Sequence, residues 1–227
     1  MDIIDIILLI VVPILNLVIG LWIIKMNSKL ASNVFFGLLC VSAAFWTLGM
    51  GLLHFLTDFY ILEVYILKLT VIFSALVPMF YLMFASAYPF ETKIFSRRLY
   101  LITIPLIIII LVALDYFRVE NIYFEQGRLI EQVVFKNYVI FAIYFFSYVA
   151  LGFYFLIKKY FTLASIYKKN VKYILFSTLI TFLVVTFLSI ILPLVNKYFY
   201  DWYSPIFTLI NFTVIAYLIF CKPKNSG

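Results

Sequence analysis

Charge is what this sequence has least of: only 12% of its 227 residues are Asp, Glu, Lys or Arg, about half the share of a soluble domain. So few charges cannot cover a water-facing surface when 67% of the residues are hydrophobic, and a water-soluble globule is excluded. Histidine occurs once, as His54, and cysteine twice, as Cys40 and Cys221. That inventory is too poor for a metal centre. Both cysteines fall in or beside apolar segments near the expected cytoplasmic side, where no disulfide is expected. A GxSxG elbow, an HExxH helix, a phosphate-binding glycine loop and an intramembrane aspartate pair are all missing. No enzyme activity, cofactor or metal is therefore expected. Nor is a cleavable leader: the first apolar run is too long, opens on Asp2 and Asp5, and lacks a small-residue cleavage site.

What is present is a series of apolar runs of bilayer length. A crossing helix needs roughly 20 largely apolar residues, and such runs lie near 6–25, 33–55, 61–88, 99–115, 137–157, 172–195 and 203–221. The expected fold is an all-α integral membrane protein, a single domain over 1–227 built as a seven-transmembrane helix bundle. The basic residues orient it. Lys25, Lys29, Lys93, Arg97, Arg98, Lys158, Lys159, Lys168, Lys169, Lys172, Lys222 and Lys224, twelve of the 17, fall on one face. The acids lie on the other, apart from Glu91. The excess of Lys and Arg marks the cytoplasmic face, so the N-terminus is expected outside and the C-terminus in the cytoplasm. The net charge of +7 then reads as topology signal and contact with anionic lipid heads. A nucleic-acid partner is excluded, because no polar surface combines the basic residues with stacking aromatics.

The one long connection, from about Tyr116 to Lys136, carries two strand-like runs around Gln126 and Gly127 and predicts a short outer β-hairpin between helices four and five. In span two, Gly37, Cys40, Ala44, Thr47 and Gly51 recur at steps of three and four as a stripe of small side chains. Helices in lipid associate by close approach at small residues, so this stripe is expected to pack against neighbours. The next step reaches His54, which with Asp58 stands at i and i+4. It reads either as a proton-responsive group or as an interfacial histidine bonded to Asp58. Lys68 lies about two turns inside the outer end of span three, where an ionisable residue is a functional candidate unless it snorkels to the interface. Asp115 and Asp201 lie at the same level. These five residues, His54, Asp58, Lys68, Asp115 and Asp201, are the candidate cue site. Polar residues elsewhere (Asn16 after Pro13, Thr70, Ser74, Tyr81, Ser177, Thr181, Ser204, Thr208, Asn211) read as hydrogen-bonding glue between helices.

Four stretches also occur in a telling order: Asn33 to Gly37 leading to Phe45 to Gly49; Leu67 to Leu69; Val77 to Phe84 with Tyr88 and Pro89; and Ser204 to Phe207 running into Ile215 to Ile219 before a basic exit. In these the chain resembles the N-terminal seven-transmembrane sensor region of bacterial and archaeal histidine kinases, to about Pro223. The resemblance implies a sensory input in a prokaryotic plasma membrane, relaying a cue through the seventh helix to a cytoplasmic output module. It supplies no ligand-binding residues. The sequence itself ends at Gly227 without a kinase, which reads as a truncated protein, a fragment or a stand-alone sensor. The partners this reading allows are the bilayer, a cytoplasmic kinase or response regulator, and a second copy of the chain. The alternatives are a small transporter or channel, which needs a continuous polar path, and an intramembrane enzyme, which lacks a catalytic set.

Overall fold

In lipid every backbone N–H and C=O must be satisfied within the protein, which leaves the helix as the default state of each long apolar run. The computed structural model describes residues 3–55, 60–89, 107, 122–125, 128–131, 135–188 and 203–221. Its helices are α1 (Ile3–Met26), α2 (Ala31–Phe55), α3 (Tyr60–Ala87), α4 (Phe135–Thr162), α5 (Ser165–Thr186) and α6 (Ser204–Ala216). The last continues as a π-helical turn, Tyr217–Cys221. Five of them contain stretches long and apolar enough to cross a bilayer: Leu8–Met26, Ala31–Leu53, Tyr65–Ala87, Val139–Thr162 and Tyr167–Thr186; Ser204–Ile219 is a shorter apolar helix. The protein is a helical membrane protein. The expected span at 99–115 lies outside the described residues apart from Ile107, which is helical and exposed. Two strands, β1 (Ile122–Glu125) and β2 (Arg128–Glu131), pair antiparallel with Ile122 opposite Glu131 and Glu125 opposite Arg128.

One boundary differs from the sequence reading. α5 begins at Ser165, not near 172, and α4 runs on to Thr162, so only Leu163 and Ala164 link them. Lys158, Lys159, Lys168, Lys169 and Lys172 therefore lie on helical turns rather than in a loop. Hydropathy marks where a helix leaves the apolar layer; the helix itself continues while its backbone bonds are made.

The helices pack in chain order, α1 on α2, α2 on α3, α3 on α4, α4 on α5 and α5 on α6, and α6 closes the ring on α1 and α2. β2 lies against α2. Fully buried Phe36 of α2 ties three helices together, its ring 5.1 Å from that of Phe84 on α3 and 5.9 Å from that of Phe212 on α6. A second aromatic group joins α3, α4 and α5 through Tyr81, Phe153, Phe182 and Phe145. α5 meets the bundle along a narrow stripe, with Val171, Ile174 and Thr178 buried while Phe176, Leu179, Ile180 and Leu183 are exposed. α1 likewise exposes Ile10, Val11, Ile14, Leu15, Val18 and Leu21. Such continuous apolar faces fit acyl chains as solvent, not water.

Candidate functional site in the bundle interior

The interior is built on the contact of α1 with α2. Gly20 and Gly37 face each other so closely that a Cβ added to either would come within 2.7 Å of the other's carbonyl oxygen. Further along, Gly51 meets Leu9 at ordinary spacing: a Cβ there would stand 3.4 Å from Leu9 Cβ and 3.7 Å from the Leu9 carbonyl oxygen. The helices thus touch backbone to backbone at one level and are in ordinary van der Waals contact at Gly51. These two fixed points place Asn16 at the level of Ala43 and Ala44, both buried.

Asn16 is fully buried, and neither its Oδ1 nor its Nδ2 has a hydrogen-bond partner. A buried polar group left unpaired costs about 1–3 kcal/mol, so this amide is a deliberate expense in an apolar helix. Leu9, Pro13, Asn16 and Gly20 share the α1 face turned to α2, at the i, i+4, i+7 and i+11 positions of a helix. Pro13 has no N–H and leaves the Leu9 carbonyl without its regular donor. Across the seam, Thr47 is fully buried and donates its hydroxyl to the Ala43 carbonyl oxygen at 2.8 Å.

Other helices bring further polar groups inward. On α6, Ser204, Thr208 and Asn211 are buried; the Thr208 hydroxyl donates to the Pro205 carbonyl at 2.7 Å, while Asn211 Oδ1 has no partner. The hydroxyls of Tyr81 on α3 and Thr178 on α5 are also buried and unpaired. Tyr81 lies against Gly152 of α4, where any larger residue would meet its ring. Pro78 interrupts the α3 ladder at the Ser74 carbonyl, and one residue on, the Ala75 carbonyl accepts the hydroxyl of Tyr144 from α4 at 2.8 Å. The Tyr144 hydroxyl thus ties α4 to α3 beside the interruption.

The end of α3 is held electrostatically. A helix C-terminus leaves carbonyls without partners and carries partial negative charge. Lys159, in the last turn of α4, donates its ammonium to the carbonyls of Ala85 at 3.0 Å, Ser86 at 2.5 Å and Tyr88. Tyr88 lies just past the α3 span, and burial pushes its phenol above the ordinary value, against the hydrogen bond from the Asn170 side chain on α5. α3, α4 and α5 are thereby joined at one end. Sequence reasoning counted Lys159 with the topology signals and missed this cap; the available signal was its position in the last turn of one helix beside the end of another.

The residues singled out from sequence fall as follows. Gly37, Cys40, Ala44, Thr47 and Gly51 are all buried; Gly37 and Cys40 lie against Gly20 of α1, and Gly51 against Leu9. Cys40 is a free thiol. Lys68 is half-buried on α3, next to buried Leu67 and two positions from buried Thr70. His54 belongs to α2, but its side chain, like Asp58, Asp115 and Asp201, lies outside the described residues. Among the described residues no three His, Cys, Asp or Glu come together as a metal site.

Apolar helices of bilayer length, lipid-facing outer faces and a small set of polar groups held inside the ring define a multi-pass membrane protein. Comparison with known families narrows this further. The model of the N-terminal seven-transmembrane region of histidine kinases matches residues 8–222, nearly the whole chain, and the chain belongs to that family. It is a membrane sensory region of a kind whose kinase activity resides elsewhere. No curated protein and no solved structure matches it.

Proposed function

We propose that the chain detects an extracellular or intramembrane cue and relays it through α6 to a cytoplasmic output module of the histidine-kinase type. In this reading the bundle has seven spans in a prokaryotic plasma membrane, its N-terminus outside, its C-terminus inside and the β1–β2 hairpin on the outer face. The observation that carries the reading, beside family membership, is the position of α6. It packs against α1, α2 and α5, and it brings an unpaired buried amide oxygen, Asn211 Oδ1, into the interior. Unmet hydrogen-bonding capacity on the helix that leaves the membrane gives that helix a second arrangement to move into, because any motion that pairs the amide gains free energy. The charged residues near the outer mouth, His54, Asp58, Lys68, Asp115 and Asp201, form the entry point of the cue, since charges in lipid must be paired or wet. A cytoplasmic kinase or response regulator is the partner, and a second copy of the chain is compatible with it.

The test joins a histidine-kinase output module after Cys221 and reads autophosphorylation in liposomes. Asn211→Leu is expected to shift the basal level, and Lys68→Met to change the response to the cue, both with insertion intact. Parent-like signalling from both variants overturns the relay. Solute flux through the purified chain in liposomes favours the transporter alternative instead.

A further inference from the structure

The lysines at the start of α5 stand at the head of its exposed face. From that match we propose that α5 holds one anionic phospholipid of the leaflet those lysines reach, its phosphate at Lys169 and Lys172 and its acyl chains along the apolar stripe beyond. Residues at steps of three and four share one face of a helix. Lys169, Lys172, Phe176, Leu179, Leu183 and Phe187 follow those steps, and all are exposed. Val171, Ile174 and Thr178, on the opposite face, are buried against the bundle. From Phe176 to Phe187 the helix rises about 16 Å, close to the depth of one leaflet's hydrocarbon. The face is basic at its head and then apolar for the length of an acyl chain.

The sign of the charge selects the lipid. Between Glu131 and Asp201 the sequence has no acid, so neither α4, α5 nor their two-residue link offers a carboxylate to Lys168, Lys169 or Lys172. The connection leaving α3 emerges at the same end, since Lys159 caps the last α3 carbonyls and Tyr88 meets Asn170. It carries Lys93, Arg97 and Arg98 against the single acid Glu91, and so adds positive charge. A lysine stem lies along apolar surface while its ammonium reaches the headgroup layer, where a phosphate accepts its hydrogen bonds. A zwitterionic headgroup would bring its own cation into this cluster; a lipid of net negative charge does not, and each nearby basic residue favours it. The other outward faces lack the match. α1 exposes a comparable apolar face but has one lysine, Lys25, in its last turn. On α4, Lys158 is exposed while Lys159 is committed to the α3 carbonyls. Among the described helices, α5 alone sets three lysines within five residues at the head of an exposed apolar stripe. The site follows from the surface of α5 and holds whether or not the chain relays a cue.

Photo-crosslinking of the whole chain in phosphatidylcholine liposomes tests it. The probes are trace phosphatidylglycerol and trace phosphatidylcholine bearing the same diazirine acyl chain, with adducts mapped by peptide mass spectrometry. The phosphatidylglycerol probe should label residues 173–187 in excess over the phosphatidylcholine probe, and unlabelled phosphatidylglycerol should compete that excess away. Lys169→Gln and Lys172→Gln should each cut it about fivefold, while Lys158→Gln should leave it unchanged. Salt at about 1 M gives the same reading on the parent chain if a variant fails to insert: screening should remove the excess and spare the phosphatidylcholine labelling. Inorganic phosphate at constant ionic strength should not compete, because it has no chains to lie along the stripe; competition by it would assign the lysines to a free anion and overturn the lipid site. Equal labelling of residues 173–187 by the two probes overturns the inference, as does an excess spread evenly over α1, α4 and α5 or an equal loss in Lys158→Gln.

Discussion

Replacing Lys159 by methionine should destabilise the bundle far more than the same change at Lys158, its exposed neighbour. The Lys159 ammonium has three donors, and three carbonyls at the end of α3 receive them. A hydrogen bond to a charged group contributes about 1.5–3 kcal/mol when well buried. Lys159 is only half-buried, so solvent and salt weaken each bond, and water reaches some of the carbonyls once the cap is gone. A loss of about 3 kcal/mol in total is the reasonable expectation. For a chain of this length each kcal/mol moves the melting temperature by about 2–4 °C, giving a fall of about 6–12 °C. Thermal unfolding in a mild detergent, followed by size-exclusion or tryptophan fluorescence, reads the shift. Lys158→Met sets the baseline near zero, and Lys159→Arg should fall between, because a planar fork cannot converge on three carbonyls as a tetrahedral ammonium does. Equal melting temperatures for the two methionine variants would refute the cap as a source of stability.

Three further outcomes follow from the same geometry. Gly37→Ala should lower the melting temperature, because its Cβ would press on the Ile24 side chain and the Gly20 carbonyl, whereas Gly51→Ala should be nearly neutral; the reverse order would show that the α1–α2 register is misplaced. Tyr144→Phe removes the hydrogen bond to the Ala75 carbonyl beside the Pro78 interruption and should cost about 1 kcal/mol, read as about 2–4 °C in the same assay, and no change would show that α3 satisfies that carbonyl by itself. A reporter active only in the cytoplasm should work when inserted at Leu163–Ala164, between α4 and α5, and fail within residues 122–128; activity at the second place would reverse the proposed orientation.

Much of the architecture was legible without coordinates, for a reason particular to lipid. A bilayer demands about 20 apolar residues per crossing and internal satisfaction of every backbone group, so run length alone marks helices such as α1, α2 and α3. The small-residue stripe was readable for a similar reason: with little hydrophobic drive between helices, only side-chain size decides where backbones come close, and Gly37, Cys40, Ala44, Thr47 and Gly51 are all buried. The two strand-like runs of the long connection are strands that pair antiparallel, β1 with β2.

The tertiary structure decided what depends on two segments meeting. Nothing in the spacing of lysines distinguishes Lys158 from Lys159, yet one is exposed while the other closes the end of α3, since a turn of about 100° per residue points adjacent side chains in different directions. The prolines were visible as breaks, but not that Tyr144 from another helix would bond the Ala75 carbonyl beside the α3 break, or that the Leu9 carbonyl would lie against Gly51. Asn16 read as one more interhelical hydrogen bond; only packing shows that its amide meets no partner. Composition and period determine which faces turn inward. The relative slide and splay of those faces, a matter of a few ångströms set by contacts such as Gly20 with Gly37, determine which buried polar groups find each other and which stay unpaired.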